Sequence, residues 1–372
     1  MKIGFLVGTR PELIKMAPVI HEAARRNVPH VLVHTGQHYS QGLDAVFFRD
    51  LELPPPTVNL QVGSLPPGRQ LGEILARAAD ALQALRPTVV MVQGDTMSVL
   101  GGALAAHLSG VPVAHLEAGL RSDDWDMPEE ANRVLTGNLA SLHFCPTTLQ
   151  AERLRQEGIT HGVHVVGNTV VDACLRWGRA TTETPVVLSR LGLTARGYAL
   201  LTLHRPSNVD DPGRLRAWIQ VIGAVARAGA FRVVFPVHPR ARAVLQHHGL
   251  HDGISAPPWL TLEPLGYRDL LQLAACADVI LTDSGGLQEE ACALRVPCIT
   301  LRRSTERPET LEVGANVLCP EPEAGALGAA VTRMRARERS WINPLGDGTT
   351  AARVLDVLLQ PGMVLRPSRA PR

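Results

Sequence analysis

Short apolar runs rich in valine, isoleucine and leucine alternate with longer amphipathic segments along the whole chain. KIGFLVG, PHVLVHTG, TVVMVQGD, VPVAHLE and SLHFCPT form a first series of such runs. GVHVVGN opens a second, followed by YALLTLH, FRVVFPVH, LTLEPL, DVILTDS and VPCITL. A strand that is apolar throughout is buried on both faces, which means a parallel sheet covered by helices on each side. The connecting segments, such as TMSVLGGALAAHLSG and PGRLRAWIQVIGAVARAG, carry helical periodicity. The pattern predicts an α/β protein of two doubly wound parallel-sheet domains. A length of 372 residues agrees, since it exceeds what one core usually supports. The boundary falls near Gly167-Asn168-Thr169. Residues 1–168 form the first domain, 169–350 the second, and 351–372 a C-terminal helix that could pack back on the first domain before a frayed tail.

Open α/β sheets bind ligands at the carboxyl ends of their strands. In the first half, the residues just past those ends are Arg10, His34 with Gln37 and His38, Asp95 and Glu117. In the second half they are His204 with Arg205, His238 with Arg240, and Asp283-Ser284-Gly285-Gly286. A cleft between the domains would bring the two sets together. In VILTDSGGLQEEACAL, a strand, a Ser-Gly-Gly turn and a helix follow one another, with Glu289 and Glu290 expected in the first helical turn. Acids there complement the helix dipole. Alternatively, the turn amides hold a phosphate and one glutamate reaches a sugar hydroxyl beyond it.

Asp95 and Glu117 follow consecutive predicted strands, and Glu129 comes shortly after in PEEANRVLTG. Each has a structural explanation when taken singly: Asp95 as a helix N-cap, Glu129 or Glu130 as a first-turn acid paired with Arg133. Three carboxylates gathered at one site would raise one another's pKa and suit proton transfer. On spacing alone the two readings stand level. Magnesium is the rival occupant of such a cluster, but no HExxH occurs and the histidines lie on separate strands; no metal is expected. His204 and His238 are each followed by arginine within two residues, which favours an anion site over a core position.

Composition narrows the function classes further. A net charge of +2 with 19% charged residues gives neither a nucleic-acid footprint nor a membrane-surface patch. No apolar run approaches the ~18 residues of a membrane span, and MKIGFLVGTRPE reads as a strand and polar loop, not a signal peptide. The six cysteines show no Cys-x-x-Cys spacing and sit mostly in apolar runs, as expected of buried free thiols in a reducing cytoplasm. No GxGxxG follows a strand, and neither a P-loop nor a GxSxG elbow is present. Only Lys2 and Lys15 are lysines, which singles out Lys15 in GTRPELIKMAP.

Twelve segments then fall into one register: GTRPELIKMAP, TGQHYSQGLDAVFF, QGDTMSVLGGALAA, HLEAGLRS, MPEEANRVLT, VVGNTVVD, LHRPSNVDDP, PVHPR, PLGYRDLL, LTDSGGLQEEA, STERPETLEVGANVL and NPLGDG. In these the chain resembles the non-hydrolysing UDP-N-acetylglucosamine 2-epimerases. The resemblance implies two Rossmann-like domains of glycosyltransferase-B type with the active site in the inter-domain cleft. It implies reversible conversion of UDP-GlcNAc to UDP-ManNAc without a cofactor, a homodimer, and a place in cell-surface polysaccharide biosynthesis. UDP leaves carbon 1 while a base takes the carbon-2 proton, and a 2-acetamidoglucal remains bound until UDP re-adds. By resemblance, Asp95, Glu117 and Glu129 handle protons and His204 assists near the diphosphate. Arg10 and Lys15 lie near the nucleotide, Ser284, Gly285 and Gly286 on its phosphates, Glu290 on the ribose and Tyr267 against the uracil. A second UDP-GlcNAc, bound as activator, would match Gln37, Gln41, Arg69 and His238. HRPSNVDD and Arg303 in LRRSTERPE depart from the family pattern. They keep open a related UDP-2-acetamido sugar such as a diacetamido uronate, a UDP-sugar glycosyltransferase, or a non-catalytic sensor.

Overall fold

The computed structural model describes residues 1–37, 47–178 and 185–361. It divides into two compact units, Met1–Ala173 with Leu345–Arg372, and Cys174–Pro344. Unit 1 is built on strands β1 (Ile3–Val7), β2 (His30–His34), β3 (Val58–Asn59), β4 (Val89–Gln93), β5 (Val113–Leu116), β6 (Leu142–Cys145) and β7 (Val163–Val165). They lie in the order β3-β2-β1-β4-β5-β6-β7, every pairing parallel. The order reverses between β1 and β4, where an open sheet offers a crevice at its carboxyl edge.

Unit 2 repeats the plan with β8 (Tyr198–Thr202), β9 (Arg232–Pro236), β10 (Trp259–Leu262), β11 (Val279–Thr282), β12 (Cys298–Thr300) and β13 (Asn316–Leu318). Their order is β10-β9-β8-β11-β12-β13, and the reversal lies between β8 and β11. Both faces of this sheet are covered. Ala199, Leu201, Val233, Phe235, Val279 and Leu281 join one apolar cluster, while Tyr198, Leu200, Val234 and Ile280 join another. That is the period-two alternation of a strand with two buried faces.

Three strand expectations need amendment. GVHVVGN supplies β7, which pairs with β6 in the first sheet, not the second. The edge strands β3 and β13 have only two and three residues and are mostly half-buried, too short to carry a hydrophobic pattern. Thr96 caps the helix Met97–Leu108, its side chain accepting from the amides of Ser98 and Val99. A Cβ at Gly101 would lie 2.5 Å from Ile74 Cγ2, and one at Gly102 would lie 2.6 Å from Leu6 Cδ2. The two glycines therefore let this helix settle directly on its neighbours, which fixes where its N-terminus begins.

The helix Thr350–Leu358 belongs to unit 1. Its Ala351 amide donates to Asp172 (2.9 Å) and its Asp356 pairs with Arg26 (2.6 Å). The residues 362–372, which include most of the expected frayed tail, lie outside the described residues. The six cysteines are free thiols, all but Cys276 buried. No helix among the described residues is long and apolar enough to cross a membrane.

Candidate active site

In unit 1, β4 and β5 are neighbours, with Gln93 opposite Leu116. Asp95 follows one strand and Glu117 the other, so the topology brings both carboxylates to one edge. Glu117 is 8% exposed and holds a left-handed backbone, φ 65°, which glutamate adopts only at some cost. Its carboxylate receives the Lys15 ammonium at 2.5 Å and Asn168 Nδ2 at 3.2 Å. Gln93 Nε2 donates to its other oxygen. Lys15 comes from the helix Arg10–Arg25, which starts just after β1. A buried carboxylate is thus paired and hydrogen-bonded on both oxygens, as burial requires.

Asp95 is not the N-cap, since Thr96 takes that position. Its carboxylate instead accepts from Arg133, Nη2 at 2.7 Å and Nε at 2.9 Å. Arg133 also holds Glu130 at 2.6 Å. Glu130 accepts from the Ser122 amide and hydroxyl and from the Asp123 amide. Burial raises its pKa, but these donors and Arg133 outweigh it and hold the carboxyl below its usual range. Glu129 and Glu130 both lie in the first turn of the helix Pro128–Leu139, yet they differ. Glu130 is a buried anchor, whereas Glu129 is exposed. The preceding loop carries Asp124-Trp125-Asp126, an Asp-x-Asp pattern that bears on metal binding. No group of three or more possible metal ligands gathers among the described residues.

Beside Asp95 lies a carboxylate with no part in the sequence expectations. Glu12, 2% exposed, accepts from the Gly8 amide (2.7 Å) and from the hydroxyls of Thr9 (2.8 Å) and Thr96 (2.6 Å). It ties the loop after β1 to the loop after β4. Burial pushes its pKa up to about 7, with the Asp95 charge adding to the rise and the hydrogen bonds opposing it. Only its place in GTRPE hinted at it.

Arg10 lies with its guanidinium carbon 5.0 Å from the centre of the Phe47 ring. Gln37 is buried, its side chain accepting from the hydroxyl (2.6 Å) and amide (3.2 Å) of Ser98. Arg69 is exposed in the same unit. Gln41 and His38 lie outside the described residues.

In unit 2, the carboxyl edge is organised by Asp283, which is fully buried. It accepts from the amides of His204 (3.1 Å) and Arg205 (3.0 Å), from Asn208 Nδ2 (3.3 Å), and from His204 Nδ1 (2.8 Å). Burial works against its charge, yet the His204 contact and the other donors hold its pKa below the ordinary value. With Nδ1 held by a carboxylate, His204 presents Nε2. Its ring centre is 5.7 Å from that of His238. His238 caps the helix Pro239–His247, accepting from the Arg240 amide at 3.2 Å. Arg240 itself is engaged by Asp210 through two contacts of 2.6 and 2.7 Å.

The helix Gly285–Ala293 is capped by Ser284, whose hydroxyl accepts from the Leu287 amide. The Ser284 amide donates to Thr282 Oγ1 at 2.9 Å, which leaves the amides of Gly285 and Gly286 as the anion donors of this turn. A Cβ at either glycine would meet nothing nearer than 4.0 Å. The chain's own packing therefore does not require glycine there, whereas a ligand lying against the backbone would. Glu289 and Glu290 are not first-turn residues: the helix begins at Gly285 and has no acid in its first turn. Glu289 is a buried partner of Arg307. Glu290, one position on, faces Tyr267. Burial, then the Glu290 charge, drives the Tyr267 hydroxyl well above its ordinary pKa. The Tyr267 ring is 4% exposed and meets Trp177 edge-on at 6.4 Å.

The profile of the UDP-N-acetylglucosamine 2-epimerases matches residues 21–359. The chain belongs to this family. The UDP-N-acetylglucosamine 2-epimerase of Methanocaldococcus jannaschii is 43% identical over 96% of this chain and 99% of its own. A crystal structure of that archaeal epimerase in complex with UDP-GlcNAc and UDP superposes with a TM-score of 0.87, covering 96% of this chain and 99% of the other. A Pseudomonas aeruginosa relative, a UDP-2,3-diacetamido-2,3-dideoxy-D-glucuronate 2-epimerase, is 35% identical over 96% of this chain and 99% of its own. Family membership makes this chain an epimerase of the non-hydrolysing, isomerase type, on the glycosyltransferase-B-like fold of two parallel-sheet units.

Proposed function

We propose that the protein interconverts UDP-GlcNAc and UDP-ManNAc by reversible elimination of UDP. The observation that carries this reading is the pair of carboxylates on neighbouring strand ends, Glu117 with Lys15 and Asp95 with Arg133. Carbon 2 of the sugar is not next to a carbonyl, so its proton is not acidic in the ground state. As the bond from carbon 1 to the UDP oxygen lengthens, positive charge grows on carbon 1 and the carbon-2 proton becomes removable. A carboxylate takes that proton, the C–H electron pair forms the carbon 1–carbon 2 double bond, and UDP departs with the bonding pair. The reverse step delivers a proton to the opposite face and re-forms the bond to UDP. Nothing is oxidised or reduced, so no redox cofactor is needed.

The residues divide the work by chemistry. Asp95, Glu117 and Glu129 are the proton-handling groups, at least two of them serving opposite faces of the sugar. Gly285 and Gly286 offer amides to the departing diphosphate, and His204 offers Nε2 to it, with Arg10 and Lys15 supplying positive charge. Glu290 reads a ribose hydroxyl, with Tyr267 beside it near the base. We further propose a cytoplasmic homodimer, and UDP-GlcNAc as an activator at Gln37, Gln41, Arg69 and His238.

The Pseudomonas relative favours one second reading, a diacetamido uronate as substrate. Incubation with each nucleotide sugar separates the two. Formation of UDP-ManNAc from UDP-GlcNAc, seen by NMR, supports the first. Turnover of the uronate alone reverses the choice, and release of free ManNAc refutes the non-hydrolysing reaction.

A further inference from the structure

The opposite end of the second sheet holds a concentration of positive charge that the epimerisation does not use. β8, β11 and β12 are adjacent and parallel. Arg196 lies two residues before β8, Asp278 immediately before β11, and Arg295 three residues before β12. Together with Arg339 and Cys276 these arginines line a pocket of about 320 Å³. His204, Gly285 and Gly286 sit at the other, carboxyl edge of the same sheet, so this pocket is a separate place in unit 2.

The charges in the pocket do not balance. Asp278 is the carboxylate at its rim, and its oxygens are taken by Arg335 (2.5 Å) and, more distantly, Arg339 (3.5 Å). Arg339 is also fixed to the carbonyls of Ala277 and Asp278. Arg196 and Arg295 have neither a hydrogen bond nor an ion pair from their guanidinium groups. Both stand at left-handed backbone positions, φ 60° and 57°, where glycine or asparagine is easier to accommodate. Arg295 does complement the C-terminus of the helix Gly285–Ala293, but that explains one charge and not the gathering of three. Burial and the nearby Arg196 charge both lower the pKa of Arg339. Like charges held around one concavity are relieved by an anion that accepts from all of them.

We propose that this pocket binds a compact phosphate-class anion, inorganic phosphate or diphosphate, at a site distinct from the nucleotide-sugar site. Guanidinium forks suit the multiple oxygens of such an ion. No aromatic side chain lines the pocket, so nothing there would stack a base, and a nucleotide is disfavoured.

The test is calorimetric titration of the full chain with inorganic diphosphate, alongside the double variant Arg196→Ala/Arg295→Ala. Both side chains are exposed and unpaired, so the variant is expected to keep the wild-type circular dichroism and melting temperature. Arg339 is left intact because it braces two carbonyls. The expected result is the loss of one diphosphate site, or at least a tenfold weakening of it, with substantial recovery in Arg196→Lys/Arg295→Lys. Equal site number and affinity in wild type and in a folded alanine variant would overturn the proposal. ADP binding at this pocket more tightly than inorganic diphosphate would overturn the choice of ligand.

Discussion

Lys15 and Glu117, 102 positions apart in sequence, meet at 2.5 Å in a site where both side chains are almost wholly enclosed. The lysine neutralises a carboxylate that would otherwise sit unpaired beneath the strand ends. Removing one member of a buried pair costs about 3–5 kcal/mol, because the partner keeps its desolvation penalty. Lys15→Met is expected to lose stability on that scale by urea unfolding. Lys15→Met/Glu117→Gln is expected to be more stable than Lys15→Met alone, since no orphan charge remains. Simple additivity of the two single substitutions would refute the buried-pair reading.

Glu129 provides the cleanest separation of chemistry from folding. It is exposed, whereas its neighbour Glu130 anchors the Ser122 turn. Glu129→Gln should leave the unfolding free energy within about 0.5 kcal/mol of wild type. It should reduce kcat by about a hundredfold or more if Glu129 transfers protons. An unchanged kcat would remove Glu129 from the mechanism.

Glu12 gives a pH signature. Its folded pKa of about 7 stands above the ordinary 4.5, so the folded state holds more protons than the unfolded state between these values. The resulting stability is fully present below pH 4.5 and is lost as pH rises through 7. From pH 5 to pH 7 this group should withdraw about 2 kcal/mol from the wild type. Glu12→Gln, which cannot titrate, should lack that component of the slope. Parallel stability profiles for the two proteins would show that Glu12 is ionised throughout.

The two-sheet architecture was legible because its inner strands are apolar from end to end. β1 and β4 are buried at every position, and no other local pattern competes with that. The edges were not legible, since β3 and β13 are short and mostly half-buried. Strand-end chemistry was legible as residue types, not as partnerships. The sequence marks Lys15 as unusual and Glu117 as a candidate, but only β1 lying beside β4, and β4 beside β5, brings them together. The first-turn expectation for Glu289 failed because the helix starts at Gly285. The acids then fall in its second turn, where burial against Arg307 and Tyr267 outweighs the dipole. Glu12 went unread for a related reason: a glutamate near a helix start has an ordinary capping explanation until Thr96, 84 residues away, proves to share it.

The central claim is proton exchange at carbon 2 without an acceptor, and NMR of UDP-GlcNAc incubated with enzyme in heavy water measures it directly. Wild type should wash deuterium into carbon 2 of both epimers. Asp95→Asn and Glu117→Gln should fall by at least a hundredfold while still binding UDP. Near-wild-type exchange in either variant, or epimer formation with the carbon-2 hydrogen fully retained, would contradict the account.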